Sequence, residues 1–319
     1  MKIDAHVHMV GNGLKGKGSF LKIKSPIQRI LASLMLKQLG LRQRDLYQSD
    51  LESLYLNLIL KWTQESSVDK VVLLAQEQVY EENGTARPDL SSMYIPNDMG
   101  LGIAKNNHQI LPAVSIHPAR VDALDELARC KELGAVMLKC LPLYQCIDCN
   151  NPKYSQFWQR MADLNLPLLA HTGGENALPV YRKELAAPNC LRLPLECGVN
   201  VIAAHAAATY NTWISDHRPT IKKMLREYPN LYVDNSGLHV PFRALYFKQF
   251  FLEEFQGRII HGSDLPVPVM GIWPFLHGLI SSSDYKKIRK LTNPIERDIA
   301  IKKAIGFSDD CLTQLSKLL

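Results

Sequence analysis

The sequence of 319 residues lacks a long hydrophobic run, since no stretch approaches the roughly 20 apolar residues of a membrane-spanning helix. Its first ten residues, MKIDAHVHMV, also lack the apolar core of a secretory signal, so we expect a cytoplasmic protein. Glycine and proline, 18 residues each, show no low-complexity bias. With 46% hydrophobic and 21% charged residues, the composition excludes a disordered chain and favours one large barrel or two ordinary domains.

A general surplus of basic charge is also missing. The net charge of +6 lies entirely in residues 1–63, which hold ten basic and four acidic side chains, whereas the remainder is balanced at 27 of each. We therefore expect no nucleic-acid partner. The lysines of residues 11–24 could instead attract an anionic substrate. Attachment of residues 26–39 to an anionic membrane surface is a weaker alternative, because few charges lie among these residues.

Seven cysteines are an odd number, and without a secretory signal this number predicts free thiols. Cys146 and Cys149 form a C-x-x-C pair, and Cys140 precedes them by six residues. A structural zinc site needs four ligands, so Cys190 or Cys197 would have to complete it. We favour ordinary buried or loop cysteines over that zinc site.

Short apolar runs alternate with helical patterns along most of the chain, at the spacing of βα units. Most of these runs are apolar throughout, as in parallel strands that are covered on both faces. The pattern predicts an α/β protein with a (β/α)₈ TIM barrel, and an open doubly wound sheet is the alternative. The eight predicted strands are Lys2–His8, Lys70–Ala75, Ile110–Ile116, Ala135–Cys140, Leu166–His171, Asn200–His205, Asn230–Asp234 and Arg258–Gly262.

Two segments depart from the repeat. Residues 9–66 form an insert after the first strand, and we expect amphipathic helices at 26–39 and 44–63. Residues 272–319 read as a helical tail that packs on the outside of the barrel. No linker is evident, so we expect residues 1–319 to form a single domain.

Chemistry-bearing residues begin in the first strand, where Asp4, His6 and His8 alternate. A period of two would place all three on one face, which points into a barrel. Two imidazoles with a carboxylate behind them form half of a metal site. The alternative is a hydrogen-bonded histidine pair with no ligand.

Four more polar residues stand at the ends of predicted strands: Lys139 at the fourth, His171 at the fifth, His205 at the sixth and Asp264 after the eighth. The carboxyl ends of all strands in such a barrel meet at the face that carries the active site. A lone histidine there is usually structural. The full set predicts a metal centre.

These motifs resemble the amidohydrolase superfamily. D-x-H-x-H in the first strand, histidines at the fifth and sixth and G-S-D at the eighth follow its order, from Asp4 to about Pro266. The branch that is most similar is the amidohydrolase-related group, which includes aminocarboxymuconate semialdehyde decarboxylase-like enzymes. The insert and the tail match no motif of that group.

The resemblance implies roles for these residues. A divalent metal, usually zinc, would be bound by His6, His8, His171 and Asp264. His205 would bind a second metal, or act on the water or the substrate. In two-metal members a lysine at the position of Lys139 is carboxylated and bridges the ions. Alternatively, this lysine contacts an anionic substrate or pairs with an acidic neighbour.

Nitrogen and oxygen ligands without thiolates suit Zn²⁺, and also Mn²⁺, Fe²⁺ or Ni²⁺. Such an ion lowers the pKa of bound water from about 15.7 to about 7. Asp264 can then transfer the proton to the leaving group. Among the weaker predictions, Glu175, His117 and Arg243 would contact the substrate.

The sequence therefore predicts a metal-dependent hydrolase of an amide, ester or lactone bond in a small, carboxylated and anionic molecule. A metal-dependent decarboxylase on the same scaffold is the alternative. A barrel that binds a ligand without turnover is disfavoured by the complete ligand set. A homo-oligomer is compatible with all three hypotheses.

Overall fold

Eight parallel strands form the main sheet of the structure, a computed structural model that describes residues 1–209 and 216–319. Their order in the sheet is β1-β3-β5-β6-β7-β8-β9-β10, and β2 pairs with β4 in a separate antiparallel hairpin. The strands are β1 (Ile3–His8), β2 (Phe20–Leu21), β3 (Lys70–Leu74), β4 (Met93–Tyr94), β5 (Ile110–Val114), β6 (Met137–Cys140), β7 (Leu168–His171), β8 (Val201–Ala204), β9 (Leu231–Asp234) and β10 (Ile259–Ile260).

Hydrogen bonds between the first and last strands bring the edges of this sheet together. The amide of Ala5 donates to the carbonyl of His261 (2.9 Å), and the amide of His8 donates to that of Leu265 (2.8 Å). The predicted TIM barrel is therefore confirmed, and the open sheet is excluded. Each of the eight predicted strands begins and ends within two residues of the observed one.

Helices cover the outside of the barrel and form the two extra segments. The helices are α1 (Pro26–Leu39), α2 (Asp45–Gln48), α3 (Leu51–Gln64), α4 (Asn97–Asn106), α5 (Ala123–Glu132), α6 (Pro142–Gln145), α7 (Ser155–Asp163), α8 (Arg192–Glu196), α9 (Arg218–Glu227), α10 (Ile272–Leu276), α11 (Ser282–Ile288), α12 (Pro294–Ile305) and α13 (Asp310–Gln314). Short 3₁₀ segments occur at Pro152–Tyr154, Lys183–Ala186, Pro188–Leu191, His205–Ala207, Arg243–Phe251, Glu253–Phe255 and Leu315–Lys317.

The insert follows the prediction in its first helix and differs in its second. Ser25 and Gln28 form a reciprocal capping box that starts α1, and Gly40 ends it in the left-handed conformation. The predicted helix at 44–63 is divided into α2 and α3, because the Asp50 carboxylate caps the amide of Ser53 and starts a new helix.

Two apolar layers surround the strands. Side chains such as Val72, Leu169 and Ile202 fill the barrel interior, whereas Val71 and its equivalents pack against the surrounding helices. Leu315, from the C-terminal segment, is fully buried among the interior residues. The tail therefore does not pack wholly outside, since its last turn also contributes to the interior layer.

The first strand contains a β-bulge. Asp4 pairs with Val71 and Val7 with Leu73, so three steps along β1 match two steps along β3. Because Val71 faces the helices, Asp4 lies on the outer side of the strand, while His8 pairs with the interior residue Leu74. The prediction that Asp4 shares the inner face with both histidines is therefore wrong, because the bulge interrupts the alternation.

All seven cysteines are free, as predicted. Within the part of the chain that the structure describes, no helix is long and apolar enough to cross a membrane.

Candidate active site

Three side chains converge at the carboxyl end of the barrel: His6, His8 and Asp264. The Nε2 atoms of the two histidines lie 3.1 Å apart, and each lies 3.3 Å from Oδ1 of Asp264. Ligand atoms that share one ion at about 2.0–2.2 Å are separated by roughly 3–3.5 Å. Two imidazole nitrogens and a carboxylate oxygen in this arrangement fit a divalent metal ion.

Asp234 orients one of these ligands from behind. Its Oδ2 lies 2.7 Å from Nδ1 of His6, and both side chains are fully buried. Its Oδ1 accepts the backbone amide of His205 (2.7 Å) and the hydroxyl of Ser236 (2.6 Å). A carboxylate that accepts from Nδ1–H leaves the Nε2 lone pair of His6 for an ion.

Asp4 links the backbone of β1 to the backbone of the loop after β10. Its Oδ1 accepts the amide of His6 (3.1 Å) and the amide of Ser263 (2.9 Å). The amide of Asp264 in turn donates to the carbonyl of His6 (2.8 Å). Burial raises the pKa of Asp4 to about 7. Although it lies outside the barrel interior, Asp4 thus fixes the position of Asp264 relative to the histidines.

The Asp264 carboxylate stays ionised at neutral pH. Burial disfavours its charged form, but the neighbouring His6 and His8 outweigh this effect and keep its pKa below the ordinary value. Gly237 makes room for this side chain: a Cβ at that position would lie 2.4 Å from Oδ2 of Asp264.

Lys139 is fully buried in β6 and faces the same centre. Its Nζ lies 3.2 Å from Nε2 of His6. Burial lowers its pKa, and the carboxylates of Asp234 and Asp264 oppose that effect without cancelling it. The lysine therefore deprotonates more readily than an exposed one.

His171 and His205 form a second wall, with ring centroids 4.9 Å apart. Nε2 of His171 lies 3.2 Å from the carbonyl of Gly174 and 3.7 Å from a carboxylate oxygen of Glu175. Nδ1 of His205 lies 3.0 Å from the carbonyl of Ser236 and 4.0 Å from Oδ2 of Asp264. Burial holds the pKa of each imidazole well below its usual value, so both are neutral.

A pocket opens above these residues, with an empty volume of about 950 Å³ that includes its open mouth. Its polar floor is formed by His8, His171, Glu175, His205, Arg243 and Asp264. Its walls are mainly apolar and come from α1, the β2–β4 hairpin and the loops after β7 and β10.

The family model for amidohydrolases matches residues 92–288, more than half of the chain. The chain belongs to the amidohydrolase family. It is therefore an enzyme of that family, and the resemblance that the sequence motifs carried is confirmed. No curated protein matches the chain.

Solved structures share the fold of this amidohydrolase at low identity. An uncharacterised TIM-barrel protein from Bordetella bronchiseptica is 15% identical, with a TM-score of 0.58, and the match covers 95% of this chain and 99% of that one. A putative amidohydrolase from Staphylococcus aureus is 12% identical, with a TM-score of 0.52 and coverage of 100% and 99%. The 5-carboxyvanillate decarboxylase of Novosphingobium aromaticivorans, with bound manganese and 3-methoxy-4-hydroxy-5-nitrobenzoic acid, is 10% identical, with a TM-score of 0.53 and coverage of 96% and 97%.

The predicted site residues of the amidohydrolase do not all lie in one cluster. His6, His8 and Asp264 share one ligand cluster, whereas His171 lies on the facing wall, outside both groups of potential ligands found in residues 1–209 and 216–319. Arg243 and Glu175 line the pocket. His117 instead contacts the backbone, with Nε2 lying 3.1 Å from the carbonyl of Gln145.

Asp234 is the site residue that the sequence reasoning missed. It ends the apolar run LYVD of β9, which is the signal that identified His171 and His205 at their own strands. The same criterion, applied to the end of the seventh predicted strand, would have found it.

Proposed function

We propose that this amidohydrolase is a metal-dependent hydrolase that cleaves an amide, ester or lactone bond of a small carboxylated substrate. The observation that carries the proposal is the convergence of His6, His8 and Asp264, whose ligand atoms lie 3.1–3.3 Å apart below a pocket. A bound divalent ion, with zinc as our first choice, supplies Lewis acidity and lowers the pKa of water.

Asp264 is the proton carrier in this proposal. Its Oδ1 lies 3.3 Å from Nε2 of both His6 and His8, which leaves Oδ2 to accept a proton from the attacking water. Because the carboxylate has a lowered pKa, it is ready to accept at neutral pH. The same oxygen then delivers the proton to the leaving group, which is general acid–base catalysis.

His205 supplies a second basic atom. Since its Nδ1 faces the carbonyl of Ser236, which can only accept, Nδ1 carries the hydrogen of the neutral ring. Its Nε2 is then a lone-pair atom, suited to orient the water or the substrate. The alternative role of His205 is to bind a second ion. The alternative role of His171 is to join His6, His8 and Asp264 as a ligand of the first ion.

Arg243 is our candidate for the substrate carboxylate. The guanidinium is buried on the pocket floor and donates through Nη2 to the carbonyl of Gly174. A fixed guanidinium matches a carboxylate in charge and geometry. Glu175 lies beside it, and burial raises the pKa of that carboxyl.

We propose that one ion is bound and that Lys139 is not carboxylated. The second group of potential ligands consists of His6, His205 and Asp234. Two of its members already contact each other directly, because Nδ1 of His6 lies 2.7 Å from Oδ2 of Asp234. Nζ of Lys139 lies 3.2 Å from Nε2 of His6, so the amine itself can hydrogen-bond to that ring. The bridging role remains the alternative for this lysine.

The second candidate function is metal-dependent decarboxylation. The fold shared with the manganese-containing 5-carboxyvanillate decarboxylase supports it, with a TM-score of 0.53. In that reaction a carbon–carbon bond breaks and CO₂ leaves, whereas hydrolysis consumes water and releases no CO₂.

The test is a screen of the metal-reconstituted protein against lactones, N-acyl amino acids and aromatic carboxylates, with acid release and CO₂ measured together. We expect the carboxylic acid product of hydrolysis to form without CO₂, and we expect Asp264→Asn to abolish its formation. CO₂ release with the same dependence on Asp264 would replace the hydrolase with the decarboxylase. Full activity of Asp264→Asn would overturn both. Asp163→Asn, an exposed aspartate at the end of α7, is the matched control.

A further inference from the structure

Helix α1 lines the pocket and bridges the loops after β7 and β10, to which it is tethered near its two ends. Near its start, Nε2 of Gln28 donates to the carbonyl of Ala177 (3.2 Å) in the loop after β7. Near its end, Nε2 of Gln38 donates to the carbonyl of Val267 (3.2 Å) in the loop after β10. Gln38 also accepts the amide of Val269 (2.7 Å). The two glutamines are ten residues apart, which spans roughly 15 Å of helix.

The face of α1 between these tethers is apolar. Leu31, Ala32 and Met35 line the pocket and are only half-buried, so they border free space. The opposite face points outward: Ile30 is 62% and Leu34 is 41% exposed. The helix therefore forms an apolar roof, defined by Leu31, Ala32 and Met35, opposite the polar floor.

We infer that the substrate is an amphipathic carboxylate, with its polar end on the floor and an alkyl chain or aryl ring under the roof. The roof residues then determine specificity. This inference rests on the proposed function for the position of the reacting bond. Two observations support it: the buried guanidinium of Arg243 on the floor and the apolar side chains of Leu21, Ile23 and Met93, which line the same pocket as the roof.

The physical consequence is a dependence of affinity on chain length. Each methylene that moves from water to an apolar pocket strengthens binding by about fourfold. A uniformly polar substrate would leave the roof hydrated and gain nothing from it. Affinity for an alkyl carboxylate should therefore rise with each added carbon until the space under α1 is filled.

The experiment titrates straight-chain carboxylates from butanoate to decanoate into the manganese-loaded protein by calorimetry. We expect an affinity increase of about fourfold per methylene over the first additions. Ala32→Trp fills the space under the helix, so affinity should no longer rise with chain length. Met35→Gln keeps the side-chain volume but adds a polar group, so the rise in affinity per methylene should be smaller. Leu34→Gln, on the exposed face of the same helix, should leave it unchanged.

Equal affinity across the wild-type series, or no binding of any member, would overturn the inference. An unchanged series in both roof variants would overturn it as well. The series measures binding alone, so chain-length dependence without hydrolysis would contradict only the proposed function. Hydrolysis without a dependence of affinity on chain length would contradict only the inference that the roof binds the apolar part of the substrate.

Discussion

Nδ1 of His6 lies 2.7 Å from Oδ2 of Asp234, and both side chains are fully buried. This contact fixes the tautomer and the orientation of the ring, and so directs Nε2 toward His8 and Asp264. Asp234 thus acts through His6 and is a positioning residue of the site.

Asp234→Asn should weaken divalent metal binding by about 10–100-fold, because a neutral amide orients the imidazole less well and lowers its basicity. Competition with a chromophoric chelator measures the affinity. Asp163→Asn, an exposed change of the same chemistry, should bind metal like the wild type. Wild-type affinity in Asp234→Asn would show that the carboxylate does not orient a ligand.

Gly237→Ala should damage the metal site itself. Gly237 has φ of +61°, and an added Cβ would lie 2.4 Å from Oδ2 of Asp264. Gly278 has φ of +68° with no atom within 4 Å of such a Cβ, so Gly278→Ala shares only the backbone penalty of about 1–2 kcal/mol. We expect metal affinity to fall at least tenfold in Gly237→Ala alone, by the same chelator assay. Equal affinity in both variants would contradict the close packing around Asp264.

The metal content of the protein tests the state of Lys139. We expect one equivalent of ion per chain, with loading that is independent of bicarbonate, because the amine stays uncarboxylated beside His6. Elemental analysis after reconstitution with and without bicarbonate gives the answer. Two equivalents that require bicarbonate would instead establish the carboxylated bridge.

His117 should make the protein less stable in acid. Burial lowers its pKa to about 4, whereas the unfolded chain titrates near 6.5. Because the unfolded state binds the proton first, the stability present above pH 6.5 is lost as the pH falls toward 4, by about 3 kcal/mol in total. Urea unfolding of His117→Gln should show a shallower pH dependence in this window. His108→Gln, an exposed histidine, should not differ from the wild type; equal slopes in all three proteins would refute the effect.

The sequence predicted the barrel and most of its site because both depend on local patterns. Apolar runs at βα spacing located all eight strands of the barrel, and polar residues that follow those runs meet at one face in any barrel of this kind. His6 and His8 were identified from the alternation in the first strand and Asp264 from its position after the eighth. Their assignment as metal ligands came from the resemblance to the amidohydrolases.

The remainder depends on geometry that no local pattern encodes. The bulge in β1 sends Asp4 to the outer side, although the alternation of the sequence is uninterrupted there. The position of α1 over the pocket depends on hydrogen bonds from Gln28 and Gln38 to loops about 150 and 230 residues away. Such contacts are set by tertiary packing rather than by periodicity.

The central claim is that His6, His8 and Asp264 hold one ion. Anomalous scattering from crystals of the manganese-loaded protein tests it most directly. We predict one full-occupancy peak within about 2.0–2.4 Å of Nε2 of both histidines and Oδ1 of Asp264. A fully loaded protein whose peak lies away from these three atoms would contradict the account.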